Sequence, residues 1–539
     1  MKSDALRPRF HAALGAASLF LATVALTPGQ ALAAALLQAA ESGDTQAALR
    51  EIGAGGDVNL RGNDGTTALM WAAYNGDAAL VDALIEAGAD VDASNEFGTT
   101  ALTEAAILGN TQIIGRLVAA GADPNTRTPD GETPLMAVAR TGNVEAATAL
   151  LEAGADVNAK EHWGGQSAVM WAAAQSQPEM IRLLAAHGAN LDERGVIRQW
   201  ARKTITEPRP KDMNKGGFTP LLYAAREGCV ECARVLVEAG ADPDLADPER
   251  VTPLVMSLLN LHFDLAAYLI EAGADVDKWD LFGRSPLYMA ADTHTLPVMG
   301  NGAMVVLPSD DTHTALDVAR MLLEAGADPN LRLKRRPPYR NVPQDRGGDT
   351  ILAQGATALL RAARAGDAPF VKLLLEHGAL VDLPSKEGVT PLMAAAGVEF
   401  GLRVTRGRNR TEQGVLETMQ LLVAAGADVN ARMIREPREQ VSNSASARVQ
   451  GYTYAGRGRQ VPSPDAVPHR AAIHGAARLG LNGVIEFLAA NGADLTLADA
   501  SGSTPYDIAS GNYSENFLRA AAEPLEETMA VLESLNAAN

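Results

Sequence analysis

Two cysteines form the first group of residues in this chain that could do chemistry. They occur in Cys229-Val-Glu-Cys232, and the 539-residue sequence contains no others. A Cys-x-x-Cys pair can exchange thiols and disulfides when one thiol is exposed and has a low pKa. Three positions apart on a helix, Cβ atoms lie about 5–6 Å from each other, which is wider than a disulfide prefers. A bridge therefore requires a tightened turn, and we interpret the pair as structural thiols or a disulfide.

Two similar tetrapeptides are the second candidate, Asp292-Thr-His-Thr295 and Asp311-Thr-His-Thr314. Their His and Asp side chains could hold zinc if they converged. Turn and helix-capping roles also explain the Asp and Thr residues. The sequence shows none of the common zinc-hydrolase, serine-hydrolase, phosphate-binding or calcium-binding motifs. We therefore expect no metal, no cofactor and no enzyme activity.

The first 33 residues have the pattern of a secretory signal peptide. Basic residues at 2, 7 and 9 precede an apolar run over 12–26, and Ala31-Leu32-Ala33 provides small residues for cleavage. The run is too short for a permanent transmembrane helix. An uncleaved amphipathic helix is the alternative interpretation. The pattern predicts a cleaved bacterial signal peptide over 1–33, a periplasmic or secreted protein, and no integral membrane segment.

Composition restricts the remaining classes of protein. The chain is 47% hydrophobic but only 4% aromatic, and its formal net charge is −19. This apolar content argues against disorder, and the net acidity argues against a nucleic-acid partner. A single large core with so few aromatic residues would be unusual. These properties favour small Ala- and Gly-rich units that repeat along the chain.

A short phrase recurs at regular spacing. It reads Glu-Ala-Gly-Ala-Asp-Val-Asp over 86–92 and returns with its glycine at positions 88, 121 and 154, which are 33 residues apart. Further copies have their glycine at 188, 240, 273, 326, 378, 426 and 492. About ten residues after most copies comes a second phrase, as in Gly131-Glu-Thr-Pro-Leu135. Thr can cap a helix that Pro begins, so each unit should contain helices.

These two phrases resemble the ankyrin repeat family, in which a 33-residue unit carries T-P-L-H-x-A. The resemblance covers nearly all of the chain after residue 33. It implies an all-α solenoid of about 11–12 helix–turn–helix repeats over 34–510. The helical spacing of Leu525, Met529, Leu532 and Leu535 predicts a C-terminal capping helix within 511–539.

The repeat spacing fails at five places, which we interpret as insertions. They are 193–215, 293–312, 331–354, 398–412 and 431–469. Three follow the end of a repeat and lengthen the loop that joins it to the next repeat, which we call a finger. The other two, 293–312 and 398–412, separate the two helices of one repeat. All but 293–312 are basic, and these four hold 23 of the 46 Lys and Arg residues but only 10 acidic ones.

The arginines of these insertions are candidate contacts for an anionic partner, because the planar guanidinium suits carboxylate and phosphate. The alternative is that they neutralise the acidic repeats. The candidates are Arg198, Arg202, Arg335, Arg336, Arg406, Arg408, Arg457 and Arg459.

A second set of candidates follows from the resemblance, which implies that partners contact the first helices and the finger tips. One position of the first helix should face the concave side, and we call its residues the inner row. Aromatic and Met residues in such a row favour an interface, unless the insertions cover them. The inner row is Trp71, Glu104, Ala137, Trp171, Tyr223, Met256, Met289 and Arg361.

The sequence thus predicts an exported, monomeric, non-enzymatic scaffold. Its partner would be another exported or envelope-associated protein, bound through the inner row and the Arg-rich fingers. The alternative is a cell-envelope module that binds a polyanion, either lipid phosphate or an acidic glycan, through the same arginines.

Overall fold

The computed structural model describes residues 28–197, 216–294, 299–300, 303–304, 310–335, 352, 354–398, 410–434, 469–511 and 523–538. Regular structure in these ranges is almost entirely helical, which confirms the all-α prediction. A small antiparallel ladder pairs strand β1 (Met299–Gly300) with strand β2 (Ala303–Met304), inside the predicted insertion 293–312. Within the described part of the chain, no helix combines the length and apolarity that crossing a membrane requires.

The chain divides into two compact units. The first comprises Met1–Val138 and Asn143–Asp156, and the second comprises Ala139–Gly142 and Val157–Asn539. The described helices of the first unit are α1 (Pro28–Ser42), α2 (Thr45–Gly53), α3 (Ala68–Tyr74), α4 (Ala78–Glu86), α5 (Ala101–Leu108), α6 (Thr111–Ala119) and α8 (Val144–Glu152). Helix α7 (Pro134–Thr141) contributes residues to both units.

The second unit continues the alternation of first and second helices. Its described helices are α9 (Ala168–Ala174), α10 (Pro178–Ala186), α11 (Pro220–Glu227), α12 (Val230–Glu238), α13 (Pro253–Leu259), α14 (Phe263–Glu271), α15 (Pro286–His294), α16 (Ala315–Glu324), α17 (Ala358–Ala365), α18 (Ala368–Glu376), α19 (Pro391–Ala396), α20 (Glu412–Ala424), α21 (Ala472–Leu479), α22 (Asn482–Ala490), α23 (Pro505–Ala509) and α24 (Glu526–Ala538).

Helix α11 shows why the Thr-Pro-Leu phrase begins a helix. The Thr219 hydroxyl accepts a hydrogen bond from the backbone N–H of Leu222 at 3.2 Å, and Pro220 occupies the first turn, where an N–H has no helical partner. Gly228 ends the helix in the left-handed region with φ of 77°. That conformation is accessible to glycine at little cost, and it turns the chain into α12.

Within each unit, repeats stack helix against helix. In the first unit α3 packs on α1 and α5, and α4 packs on α2 and α6. In the second unit the first helices α9, α11, α13, α15, α17 and α19 contact one another in order. Their buried side chains are mainly Ala and Leu. Thin layers of this kind need few aromatic residues, which explains the composition.

An Asn or Asp four residues after most of the repeat glycines joins neighbouring repeats. The Asn430 side chain accepts the backbone N–H of Asp494 at 2.9 Å through Oδ1 and donates through Nδ2 to the carbonyl of Gly492, also at 2.9 Å. Asp382 occupies the equivalent position, and its Oδ2 accepts the N–H of Asp428 at 3.0 Å. Its other oxygen, Oδ1, is buried without a hydrogen-bond partner. At this position an Asn side chain accepts a hydrogen bond from the N–H of the next repeat and donates one to its glycine carbonyl. An ionised carboxylate can only accept, so it binds the N–H and not the carbonyl.

The described ends of the chain are both helical. Helix α1 begins at Pro28, and Ala33, the last residue of the predicted signal peptide, is only 2% exposed within it. Helix α24 packs on α22 and α23 and buries Leu532. Cleavage after residue 33 and the domain boundaries remain predictions.

The described residues at the bases of the finger insertions are held by backbone pairing. Ile197 and Gly216 form an antiparallel bridge. The N–H of Leu333 donates to the Ala356 carbonyl at 2.9 Å, and the N–H of Met433 donates to that of Arg470 at 3.0 Å. The finger interiors 198–215, 336–351 and 435–468 lie outside the described residues, as does 399–409 in the insertion between two helices of one repeat.

Candidate functional site

The inner row of the first unit begins with an aromatic pair on α3. Trp71 is half-buried, and Tyr74, three residues later on the same side of the helix, is 39% exposed. The two ring centroids lie 5.8 Å apart with the ring planes at 86°, an edge-to-face arrangement that aromatic pairs favour. This arrangement gives α3 a rigid aromatic surface.

Beside it, α5 carries a carboxylate among aliphatic side chains. Glu104 is half-buried, and burial raises the pKa of its carboxyl above the ordinary value. Ile107 and Leu108, one turn further along α5, are 46% and 51% exposed. Because α3 and α5 are in contact, the rings, the carboxylate and the aliphatic side chains belong to one surface.

The inner row of the second unit combines rings with arginines. The Arg140 guanidinium lies 5.3 Å from the centroid of the Trp171 ring, and the Arg226 guanidinium lies 5.0 Å from that of Tyr223. Gln166 donates a hydrogen bond of 2.7 Å to the Tyr223 hydroxyl. Burial raises the pKa of Tyr223, although the bond from Gln166 opposes that shift. These contacts hold both half-buried rings in fixed orientations.

Four other inner-row residues do not face solvent. Ala137 is buried, and so are three of the predicted contact residues, Met256, Met289 and Arg361, of which the last two are fully buried. The Arg361 guanidinium bonds through Nε to Oδ1 of Asp292 at 2.7 Å. The prediction that these three side chains contact a partner is therefore wrong, because they pack inside the repeat stack.

Most of the candidate finger arginines lie outside the described residues. These are Arg198, Arg202, Arg336, Arg406, Arg408, Arg457 and Arg459. Arg335 is described, is exposed, and donates its backbone N–H to the carbonyl of Phe282 at 3.0 Å.

Other insertion arginines within the described ranges make structural bonds. Arg194 donates to the Gly217 carbonyl at 3.3 Å, and Arg332 donates to the carbonyls of Gly355 and Pro384. A guanidinium suits this role because it can reach more than one acceptor. Arg194 joins the two ends of its own finger, whereas Arg332 joins the ends of the 331–354 insertion to the next finger, in both cases through backbone carbonyls. Burial raises the pKa of the Asp247 carboxyl, and the Arg194 charge opposes that shift without overcoming it.

Cys229 and Cys232 are joined by a disulfide, with Cα atoms 5.2 Å apart. Cys229 caps α12, and its sulfur accepts the N–H of Cys232 at 3.2 Å. Cys232 is fully buried in the repeat core. The bridge thus closes the first turn of α12, where the helix N-cap conformation brings the two residues together.

The two His residues of the repeated tetrapeptide have separate carboxylate partners. His294 Nδ1 lies 2.6 Å from Oδ2 of Asp367, and His313 Nδ1 lies 2.7 Å from Oδ1 of Asp264. Asp311 instead accepts the N–H of Phe263 at 2.8 Å. Across the described ranges, no group of three or more His, Cys, Asp or Glu side chains is arranged to hold a metal. The structure does not bring the two tetrapeptides into one site.

Asp264 holds the chain where the 293–312 insertion returns to the repeat. Its carboxylate accepts the backbone N–H groups of Thr312 and His313 and both of their side chains. Burial alone would raise its pKa, but these bonds prevail and lower it to about 2. Asp264 is therefore an ionised structural anchor.

Sequence reasoning missed several exposed residues that belong to candidate interaction surfaces. Tyr74, Ile107 and Leu108 lie one turn after the inner row, and that helical spacing could have identified them. Phe97 and Trp163 are exposed at finger tips, Trp163 by 73%. The sequence pattern that could have identified them is an aromatic residue directly before a glycine in a finger turn. Such a turn needs only small polar residues to form, so a large exposed ring there indicates a binding role.

Comparison with known proteins identifies the repeats. Residues 36–128, 109–195 and 340–433 match the family described as "Ankyrin repeats (3 copies)", and residues 216–248 match "Ankyrin repeat". Together these segments cover more than half of the chain. Ankyrin repeats form protein–protein interaction domains, and scaffolds of this family are generally non-enzymatic.

The chain is also similar to parts of several characterised proteins. It is 33% identical to mouse (Mus musculus) ankyrin repeat and SOCS box protein 16 in an alignment of 220 residues that covers 36% of this chain and 44% of that protein. It is 27% identical over 234 residues to the putative palmitoyltransferase ZDHHC13 of Danio rerio, covering 43% and 28%. It is 29% identical over 93 residues to ankyrin repeat protein nuc-2 of Neurospora crassa, covering 17% and 7%.

The matched segments span less than half the length of each of these relatives. The similarity is therefore to the repeats of those proteins, and it says nothing about the functions of their other parts. With more than half of its length matched to the repeat models, and with the helical stacks described above, the chain belongs to the ankyrin repeat family.

Proposed function

We propose that this protein is an exported, non-enzymatic scaffold that binds another protein through the accessible part of its inner row. The observation that carries the proposal is the presence of oriented, solvent-accessible rings on the first helices. Trp71 with Tyr74 in the first unit, and Trp171 with Tyr223 in the second, retain exposed surface.

Aromatic and Arg side chains are the residues that interfaces use most for affinity. Each ring loses little conformational entropy on binding, because its neighbours already restrict it. The edge-to-face contact restricts Trp71, and the Arg140 and Arg226 guanidinium groups restrict Trp171 and Tyr223. Preorganised rings of this kind support a binding role better than scattered surface residues would.

The Arg-rich fingers form the second part of the proposal. Exposed Arg335 supports a contribution to partner binding, since rim charges guide association. The bond of Arg194 across the base of its own finger and the bond of Arg332 to the next finger favour fingers that are held in position by the repeats. The described contacts favour a protein partner over a polyanion, because the accessible inner row is largely apolar.

Export is proposed from the N-terminal pattern and from the disulfide. Disulfides persist in oxidising compartments such as the bacterial periplasm. N-terminal sequencing of the protein from a periplasmic fraction tests this part, with Ala34 as the expected first residue. A mature chain that begins at Met1 or Lys2 would contradict it.

Site-specific photo-cross-linking tests the binding proposal. A photoreactive phenylalanine analogue is placed at Tyr74 or Tyr223, and at the exposed second-helix residues Glu145 or Glu238 as controls. We expect protein adducts of the same mass from the first pair and none from the controls. Adducts of equal yield at all four positions, or none at Tyr74 and Tyr223, would refute binding through the inner row.

A further inference from the structure

Resting on the proposed function, we infer that the inner row of the first unit binds a basic, apolar segment of the partner. In this arrangement a Lys or Arg side chain lies against the Trp71 and Tyr74 rings and the Glu104 carboxylate. An adjacent apolar side chain of the partner packs on Ile107 and Leu108. Five residues on two contacting helices form this surface, which we call the α3–α5 patch.

The charges of the first unit favour a cationic partner. Helices α1, α3 and α5 contain no Lys or Arg. The described carboxylates on their inner side are Glu104 and Glu41, and Glu41 occupies the position on α1 that Tyr74 occupies on α3. Because α1 and α5 both contact α3, acidic groups lie on either side of the aromatic pair. These two carboxylates attract a cation and repel an acidic segment of a partner.

The Glu104 carboxylate is the site at which we expect the partner cation to bind. Burial raises the pKa of its carboxyl, which means that the ionised form lacks full solvation. Among the contacts within the described ranges, no cation pairs with it and no donor binds it. A partner cation placed there would restore the interactions that burial removed. The same cation would be held more firmly than one at a fully solvated surface pair, which contributes little.

The aromatic pair supplies the second half of the cation site. Cations bind over the faces of Trp and Tyr rings within about 6 Å of the centroid. In the second unit, Arg140 and Arg226 occupy that position over Trp171 and Tyr223. No described Lys or Arg lies over Trp71 or Tyr74. The first unit therefore presents ring faces that an external cation can use.

The aliphatic part of the patch requires an apolar neighbour on the partner. Ile107 and Leu108 each expose about half of their surface, and apolar area gains roughly 25 cal/mol per Å² when it leaves water. A purely basic segment would leave this area exposed. The combined surface selects a Lys or Arg flanked by Leu, Ile, Val or an aromatic residue.

A peptide library tests this inference directly. Random twelve-residue peptides displayed on phage are selected on the full-length protein, and sequences that still bind the Trp71→Ala variant are removed. We expect the remaining peptides to be enriched in Lys or Arg next to apolar residues. Glu104→Lys should weaken these peptides about tenfold or more, which corresponds to about 1.4 kcal/mol, and its own selection should favour Asp or Glu. Glu145→Lys on α8 is the matched control and should change neither property.

The outcomes separate the inference from the proposed function. Peptides that require Trp71 but carry no cation, or that bind the Glu104→Lys variant equally well, would overturn the inference and leave the proposed function standing. If no selected peptide depends on Trp71, Trp171 or Tyr223, both fail. Thermal unfolding of each variant checks that loss of binding does not arise from loss of folding.

Discussion

Arg361 on α17 and Asp292 on α15 form a buried ion pair, with 2.7 Å between Nε and Oδ1 and side-chain exposures of 0% and 2%. The guanidinium also donates to the Asp292 carbonyl, and its Nη1 is buried without a hydrogen-bond partner. Truncating Arg361 removes the cation that faces the buried Asp292 carboxylate. Arg361→Ala should therefore lower the free energy of unfolding by about 3–5 kcal/mol.

Urea unfolding measures this change in the free energy of unfolding. A double variant at both positions provides the control. Replacing both Arg361 and Asp292 by Leu should cost much less than the single change, because no buried charge remains. Lys372→Ala, which removes an exposed pair with Glu376, should change the free energy of unfolding by less than about 1 kcal/mol. A small effect of Arg361→Ala would contradict the buried pair.

The surroundings of Asp382 predict that its replacement by Asn stabilises the protein. Burial raises the pKa of its carboxyl, and the neighbouring Asp428 carboxylate raises it further, although the N–H of Asp428 opposes both. In the equivalent Asn430, the side-chain amide donates to the glycine carbonyl of the next repeat. Asp382→Asn should supply that bond to Gly426 and raise the free energy of unfolding at pH 7 by about 1 kcal/mol.

The pH dependence of this gain has a definite sign. A raised pKa in the folded state means that the folded protein binds the proton more tightly, so wild-type stability increases as pH falls through that pKa. The advantage of Asp382→Asn should therefore be largest at pH 7 and shrink towards about pH 4. Asn430→Asp is the reciprocal control and should destabilise at pH 7. Equal stabilities of all three proteins at pH 7 would show that the second oxygen is satisfied.

The disulfide predicts unequal effects of its two cysteines. Cys229→Asn should retain helix capping, as Asn143 does on α8, and lose only the cross-link. Cys232→Asn places a polar side chain in the repeat core and should destabilise by at least about 2 kcal/mol more. Urea unfolding of both variants under oxidising conditions measures the difference. Equal losses would mean that the cross-link dominates and that burial of Cys232 contributes little.

Asp264 predicts an acid-sensitive attachment of the 293–312 insertion. Its folded pKa of about 2 lies below the value of about 3.9 expected in an unfolded chain. Its contribution is therefore fully present above pH 4 and is lost as the pH falls towards 2. The protection of the Thr312 and His313 amides against hydrogen exchange, relative to their intrinsic exchange rates, should fall over that window. In Asp264→Asn these amides should exchange with little pH dependence beyond the intrinsic rate.

The repeat phrases were sufficient to predict the helical architecture. Thr219, Pro220 and Gly228 act locally, so their types and spacing already specify where α11 begins and ends. The burial of Arg361 was not predictable in this way. It depends on Asp292, 69 residues earlier in the sequence, and no local pattern indicates that pairing.

The candidate site was predicted only in part for a similar reason. Trp71, Glu104, Trp171 and Tyr223 follow from their position in the repeat, and the structure leaves them half-buried. Met289 occupies the same position but is completely buried. Exposure depends on what packs over each first helix, whereas the repeat pattern reports only which side of the helix a residue occupies.

Affinity capture from the cell envelope of the source organism tests whether the protein binds its partner through the inner row. The wild type is compared with a Trp71/Trp171/Tyr223 triple alanine variant and with a Glu145/Glu152/Glu238 triple alanine control on second helices. Quantitative mass spectrometry should show proteins that the wild type and the control recover equally and that the aromatic variant recovers about tenfold less, a loss of about 1.4 kcal/mol. Equal recovery by a folded aromatic variant would contradict the claim.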